Sequence, residues 1–213
     1  MVRIFNPIHT EKFAPTPERR AQGRKLLGLP EKAFVVLGVG QLEGRKGVED
    51  FLDVAAACPE YTFVWAGGRP FGVATEGYLK LNRRIANAGP QVKFPGLFDL
   101  DKMPLIYNAA DMLLFPSYQE NCPLVPVEAA AAGLPVIYRD LKEYVQLYAH
   151  PYLKAKDTPE FIALTQRLAA DEAFRREGKE ISKNILSQFE EQHIRERLLA
   201  LYRDVAAGKY RKA

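Results

Sequence analysis

Two carboxylates, Glu120 and Glu128, stand eight positions apart in PSYQENCPLVPVEAAAAG, residues 116–133. A short loop with Pro123 and Pro126 lies between them, and a small-residue run follows, ended by Gly133. The apolar run 112–115 precedes them. This order reads as buried strand, loop, short helix and a glycine stop. A loop leading into a helix N-terminus turns free backbone N–H groups and the positive end of the helix dipole outward, so anions are held there. Glu128, near the helix start, is expected to stay ionised and to accept hydrogen bonds from hydroxyls. Phosphate donors beside hydroxyl acceptors suit a nucleotide sugar.

A second set of charges lies at Arg45-Lys46-Gly47, where a helix is expected to open. Two cations at a helix N-terminus suit a diphosphate, because charge-assisted hydrogen bonds add to the dipole. A solvated basic turn would look the same. Two carboxylates could also flank a glycosidic bond as a hydrolase pair, or be one surface and one capping residue. Against the hydrolase, both acids sit on one continuous segment beside expected phosphate donors. Gly38-x-Gly40 begins a dinucleotide fingerprint, but Glu43 stands where the third glycine belongs, so a tight strand-to-helix turn is the better reading. Asp99-x-Asp101 precedes a helix and reads as capping rather than metal binding. His9, His150 and His193 share no metal-site spacing, and Trp65 falls in an apolar strand as a core residue.

The elements that must position these groups follow from periodicity. Residues 34–39, 61–66, 92–94, 112–115 and 136–138 are short apolar runs that read as strands. Helices are expected between them. Val48, Phe51, Leu52 and Ala55 repeat as an apolar helix face. A further helix is expected over 75–88, with Thr75 as its N-cap, and another over 101–110. Strict β-α alternation gives a parallel sheet with helices on both faces. In such sheets ligands bind beyond the C-terminal strand ends, which places the loops after Val39, Ala66, Phe94 and Phe115 on one rim. From about Thr158 the chain is helical, with Phe161, Leu164 and Leu168 on one face. Ile194, Leu198, Leu201 and Val205 share another. Three regions are expected: 1–33, an inter-domain connector with a surface helix over 17–27; 34–189, a Rossmann-like nucleotide-sugar-binding domain; and 190–213, a C-terminal helix and tail.

Composition removes several classes of function. The 213 residues are 47% hydrophobic and 26% charged, the ordinary globular balance, and can bury a full core. No apolar run approaches the ~20 residues that span a bilayer, and the first residues lack the apolar core of a signal peptide. Net charge is +4, with no basic stripe interleaved with aromatics, so nucleic acid is not an expected partner. Weak attraction to an anionic membrane surface is compatible with the charge. Cys58 and Cys122 show neither metal-ligand spacing nor a disulfide framework and read as buried thiols in a reducing, cytoplasmic setting.

These residues together resemble the C-terminal half of a GT-B glycosyltransferase of family 4. The likeness runs from Asn6 to about Tyr202 through NPIHTEKFAP, VVLGVGQLEGRKGVEDFL, FVWAGGRPFG, VKFPGLFDLDKMPLIYNAADMLLFPS and ENCPLVPVEAAAAGLPVI. The last block resembles the family's E-x7-E signature, with Glu120 and Glu128 as its acids. GGRPFG and YRDLKEY are similar to the bacterial subgroup that builds α-glucosyl diacylglycerols. The resemblance implies a retaining, metal-independent transfer of a hexose from a UDP-sugar, UDP-glucose being favoured, with a glycerolipid as acceptor and no other cofactor. Glu120 would contact the sugar hydroxyls and, with Lys46, act catalytically. Glu128 would bind the ribose. Arg45, Lys46 and backbone amides near Leu124 and Val125 would hold the diphosphate. Phe94, Pro95, Gly96 and Leu97 would border the base, and Gln41, Asn121 and Cys122 would complete the donor site. Gln41 replaces a usual Arg, Pro123 a frequent Gly, and His9 a usual Asp. The resemblance also implies a missing N-terminal acceptor-binding domain, supplied in cis or in trans, and a cytoplasmic place at the inner face of the membrane. A non-catalytic interaction module of the same fold, or a domain like that of a UDP-sugar epimerase, are the alternatives.

Overall fold

The computed structural model describes residues 4–69, 78–148 and 151–209. Six strands, β1 (Val35–Val39), β2 (Thr62–Ala66), β3 (Val92–Gly96), β4 (Met112–Phe115), β5 (Val136–Arg139) and β6 (Leu153–Ala155), form one sheet in the order β3-β2-β1-β4-β5-β6. Every neighbouring pair is parallel. The β1-to-β4 neighbourhood is where the chain order reverses. Such a switch point leaves a crevice at the strands' C-terminal ends.

Because successive strand residues point to opposite faces, the sheet feeds two cores. Leu37, Val64, Leu113 and Val136 pack on one side with residues of α1 (Thr10–Phe13), α5 (Met103–Ala109) and α6 (Val125–Ala131). Val36, Phe63, Met112 and Ile137 pack on the other with residues of α3 (Val48–Ala57), α4 (Tyr78–Ala86) and α8 (Thr158–Ala170). The remaining helices are α2 (Pro17–Leu26), α7 (Lys142–Leu147), α9 (Glu172–Leu186) and α10 (Glu191–Ala206). Thr16 caps α2 by accepting from the Arg19 amide, and Asp157 and Asp171 do the same for α8 and α9, each satisfying an orphan donor of a first turn.

Several expectations need correction. The strand expected over 92–94 runs through Pro95 to Gly96; β3 is an edge strand, where a proline costs no central ladder bond. β6 was not anticipated, being a three-residue edge. Thr75 lies outside the described residues. Neither Asp99 nor Asp101 caps α5 through its side chain; the N-cap position is Lys102, and the Asp99 carbonyl accepts the Lys102 amide. The first 33 residues are more than a connector with a surface helix, because Phe5, Ile8, Phe13 and Leu27 are buried in the first core. Gly23 of α2 lies so close to α5 that a Cβ there would stand 2.0 Å from the Leu105 carbonyl oxygen. Ile8 also donates its amide to Phe189, and the rings of Phe5 and Phe189 stack.

Along α10 the apolar face emerges progressively: Ile194 is buried, Leu198 and Leu201 are half-buried, and Val205 is exposed. His9 pairs with Glu191 at the start of this helix, 2.9 Å away. Among the described residues no helix is long and apolar enough to cross a membrane.

Candidate donor-binding cleft

A cleft of about 530 Å³ opens at the C-terminal ends of β1, β2, β3 and β4. All four expected rim loops contribute to it, through Gln41, Gly67, Leu97 and Glu120 respectively. The loops can approach one another because glycines stand where they meet. A Cβ on Gly67 would fall 1.8 Å from the Gly40 carbonyl oxygen, and one on Gly47 2.3 Å from that of Pro116. Gly47 has φ +73°, a conformation that other residues adopt only with strain. It ends the 3-10 turn Gly44–Lys46 and starts α3, which brings the β1 loop against the β4 loop.

At that junction Lys46 Nζ donates to Glu120 Oε1 over 2.5 Å. Ser117 donates its hydroxyl to the same oxygen at 2.6 Å, and Tyr118 N–H binds the Arg45 carbonyl at 2.8 Å. Lys46 and Glu120 therefore come from opposite sides of the switch point and meet inside the cleft. An ammonium has three protons and a carboxylate two oxygens. No other hydrogen bond to Lys46 Nζ, and none to Glu120 Oε2, is made among the described residues, so the pair retains donors and an acceptor for a ligand.

Glu128 lines the same cleft from the first turn of α6. Its Oε2 accepts from the Tyr107 hydroxyl at 2.6 Å. The helix start alone would favour its ionised form, but burial outweighs this and pushes the carboxyl above its ordinary value, with the Tyr107 hydrogen bond and Lys12 opposing the shift. Burial beside this carboxylate pushes the Tyr107 phenol well up in turn, holding it as a donor. Leu124 and Val125, at the opening of α6, also line the cleft. Pro123 and Pro126 offer no N–H, which leaves Leu124, Val125 and Val127 as the amide donors of this turn.

Of the residues singled out in the sequence, the cleft gathers Gln41, Lys46, Leu97, Glu120, Leu124, Val125 and Glu128. It does not gather the others. The Arg45 guanidinium turns to Glu43, 2.6 Å away, and to the Gln119 carbonyl. Phe94 is half-buried against the second core, Pro95 is exposed, and Asn121 is exposed. Gly96 accepts the Gly67 amide through its carbonyl. Cys122 is half-buried against the first core rather than fully buried. Cys58 is buried as expected, and so is Trp65, whose indole N–H binds the Gly40 carbonyl at 2.9 Å.

Sequence reasoning missed the supports. Ser117 and Tyr107 orient the two carboxylates. Arg139 lies buried beneath the Glu120 loop: it donates to the Pro116 carbonyl at 2.8 Å, stands 2.9 Å from Asp50 Oδ2, and carries the Tyr118 ring 3.7 Å from its guanidinium carbon. Thr158 completes the coordination of Asp50 at 3.0 Å. Ser117 could have been flagged as a hydroxyl three residues before Glu120; Arg139 and Asp50 carry no local sequence signal.

Residues 20–182 match the family model for glycosyl transferases group 1. The chain is 34% identical over 205 residues to the alpha-galactosylglucosyldiacylglycerol synthase of Streptococcus pneumoniae (strain ATCC BAA-255 / R6), covering 96% of this chain and 55% of that protein. It is 32% identical over 170 residues to the processive diacylglycerol alpha-glucosyltransferase of Acholeplasma laidlawii, covering 79% and 50%. The chain thus spans about half the length of these relatives. Among solved structures, the Anabaena protein HepE in complex with UDP-glucose superposes with a TM-score of 0.78 at 25% identity, covering 92% of this chain and 57% of that one. Sheet order, cleft and family match agree, and the chain belongs to the glycosyl transferases group 1 family.

Proposed function

We propose that this chain is the donor-binding half of a retaining hexosyltransferase that takes its sugar from a UDP-hexose, UDP-glucose being the favoured donor, and delivers it to a glycerolipid. The observation that carries this reading is the meeting of Lys46 and Glu120 across the switch point, in one cleft with Glu128. The Lys46 ammonium and the amides that open α6 hold the diphosphate and stabilise the negative charge that grows on departing UDP, which is electrostatic preorganisation. Glu120, fixed by Ser117 and Lys46, offers its second oxygen to the sugar hydroxyls. Glu128, fixed by Tyr107, receives the ribose hydroxyls, and Leu97 and Phe98 border the base. No metal is required, because the protein's own cation and amides carry the compensating charge. The relatives' greater length supports an acceptor-binding half outside this chain, and their names support a lipid acceptor; on this proposal the transfer takes place at the inner face of the membrane. Alone, the chain binds donor and transfers little.

Calorimetric titration with UDP, GDP and ADP, beside a Glu128→Ala variant, tests the reading. Binding of UDP in preference to the others, weakened by the substitution, is the expected result. Equal and unaltered binding of all three, or none at millimolar ligand even with the acceptor half added in trans, would remove the donor site from this cleft.

A further inference from the structure

A second cavity, of about 820 Å³, lies apart from the donor cleft. It lies at the opposite rim of the sheet, between the residues that precede β4 and β5 (Ala110, Asp111, Gly133, Leu134), the start of α2 and one face of α9. Its floor is small and apolar, formed largely by Ala130, Ala131 and Ala132 of the α6 end, and its rim is cationic: Arg20, Arg175, Lys179 and Lys183 all face it.

The last three of these cations follow one another at i, i+4 and i+8 along α9, a spacing that stacks like charges on one helix face and opposes helix stability. Elsewhere on α9, Arg176 pairs with Glu172 one turn back at 2.9 Å. Two of the rim cations have work within the protein. Arg20 pairs with Asp111 at 2.7 Å, and Arg175 donates to the carbonyls of Leu168 and Ala169 that end α8. Lys179 and Lys183 have no acid within ion-pair distance among the described residues, although Glu180 stands in the same wall. Thr16 and Pro17, also in the wall, mark the start of α2, whose positive dipole end is already met by the Glu18 carboxylate of its first turn. A solvated lysine face needs no concavity; this one borders a cavity of ligand size.

We propose that this cavity is a second anion site, taking a phosphate-bearing ligand whose phosphate lies between Lys179 and Lys183 and whose body rests on the alanine floor. The inference stands apart from the donor reading, because it uses neither that cleft nor its residues.

The test follows backbone amide signals of Ala131 and Gly133 while isotope-labelled chain is titrated with pyrophosphate. Lys46→Gln and Lys179→Ser/Lys183→Ser variants run in parallel, and all three folds are checked by thermal melting. Saturable shifts at Ala131 and Gly133 are expected in the unaltered chain and in Lys46→Gln. In the double variant affinity falls about a hundredfold or more, as loss of two charge-assisted hydrogen bonds implies. Sedimentation with phosphatidylcholine vesicles, with and without phosphatidylglycerol, separates the sources. Co-sedimentation that needs both the anionic lipid and the two lysines assigns the phosphate to a lipid headgroup, whereas pyrophosphate binding without it assigns a soluble ligand. Binding of pyrophosphate and vesicles that ignores the double substitution, or absence of both, overturns the site.

Discussion

The two ends of the β1–β4 seam each carry a charged pair, and they differ in what is left over once the pair has formed. At the N-terminal end Asp111 accepts from Arg20 on one oxygen and from Arg24 and the Val35 amide on the other. Arg24 in turn donates to the carbonyls of Pro30, Glu31 and Ala33. That network ties α2 and its following turn to the start of both strands. At the C-terminal end Lys46 and Glu120 hold each other but keep unused protons and an unused oxygen, and they face a cleft. Side-chain exposure hardly separates the two, at 7% and 20% for Arg24 and Asp111 against 17% and 9% for Lys46 and Glu120. What is open to a ligand separates them: both Asp111 oxygens are taken, and the one Arg24 proton without a partner among the described residues, on Nε, is buried. A closed pair can only hold the fold, whereas an open pair inside a cleft can also hold a ligand.

The strongest way to break this comparison is Asp111→Ala. It leaves the Arg24 guanidinium buried without its counter-charge and the Val35 amide without an acceptor, so unfolding in urea should show a loss of about 3–5 kcal/mol, while UDP affinity of the folded fraction stays the same. A loss below about 1 kcal/mol would put both pairs in one class.

Lys46→Gln addresses the other end. The amide can still donate to Glu120, so stability should change little, as is common where a site is built for function. Affinity for UDP should fall about 10–100-fold in calorimetry, because a charged hydrogen bond contributes about 1.5–3 kcal/mol. Glu120→Gln sharpens the picture further. It removes the charge facing the sugar and leaves the phosphate cation in place, so UDP-glucose should bind about tenfold more weakly while UDP itself is unaffected. Equal losses for both ligands would move Glu120 from the sugar to the phosphates.

This contrast explains what could be read in advance. The strands were legible because short β-branched runs alternate with helical periods, and the gathering of Lys46, Glu120 and Glu128 in one cleft was legible because residues that follow the strands fall on one rim of the sheet. The closed pair was not. Arg24 and Asp111 are 87 residues apart in the chain, and Arg24 sits in a charged, proline-bounded segment that reads as surface; Asp111 and the ring of carbonyls around it together permit its burial. The same limit hid Arg139 and Asp50 beneath the Glu120 loop. It also misplaced Arg45, whose guanidinium meets Glu43 two residues away, a contact that local spacing allows but does not require. Asp99 and Asp101 looked like caps because of their position, yet the α5 turn is closed by backbone alone.

Glu128 tests the comparison with the smallest effect, because it is half-buried in the cleft wall and held by one neutral partner rather than by an opposite charge. Burial raises its carboxyl above the ordinary value of about 4.3, so the folded state binds its proton more tightly than the unfolded chain does. Linkage then fixes the sign. Stability decreases as pH rises from the unfolded value through the raised folded one, and the full cost of burying the ionised form is present above both. Glu128→Gln removes that cost and keeps an oxygen for Tyr107. The variant should therefore melt at a higher temperature than the unaltered chain at neutral pH, with the difference shrinking as pH falls through the folded value and vanishing below the unfolded one. UDP binding should weaken in the same variant, since a neutral amide is a poorer acceptor for ribose hydroxyls. A gain in stability at neutral pH together with a loss of affinity would mark Glu128 as a group kept for its ligand. If the variant melts lower at every pH, Glu128 belongs with Asp111 as part of the frame.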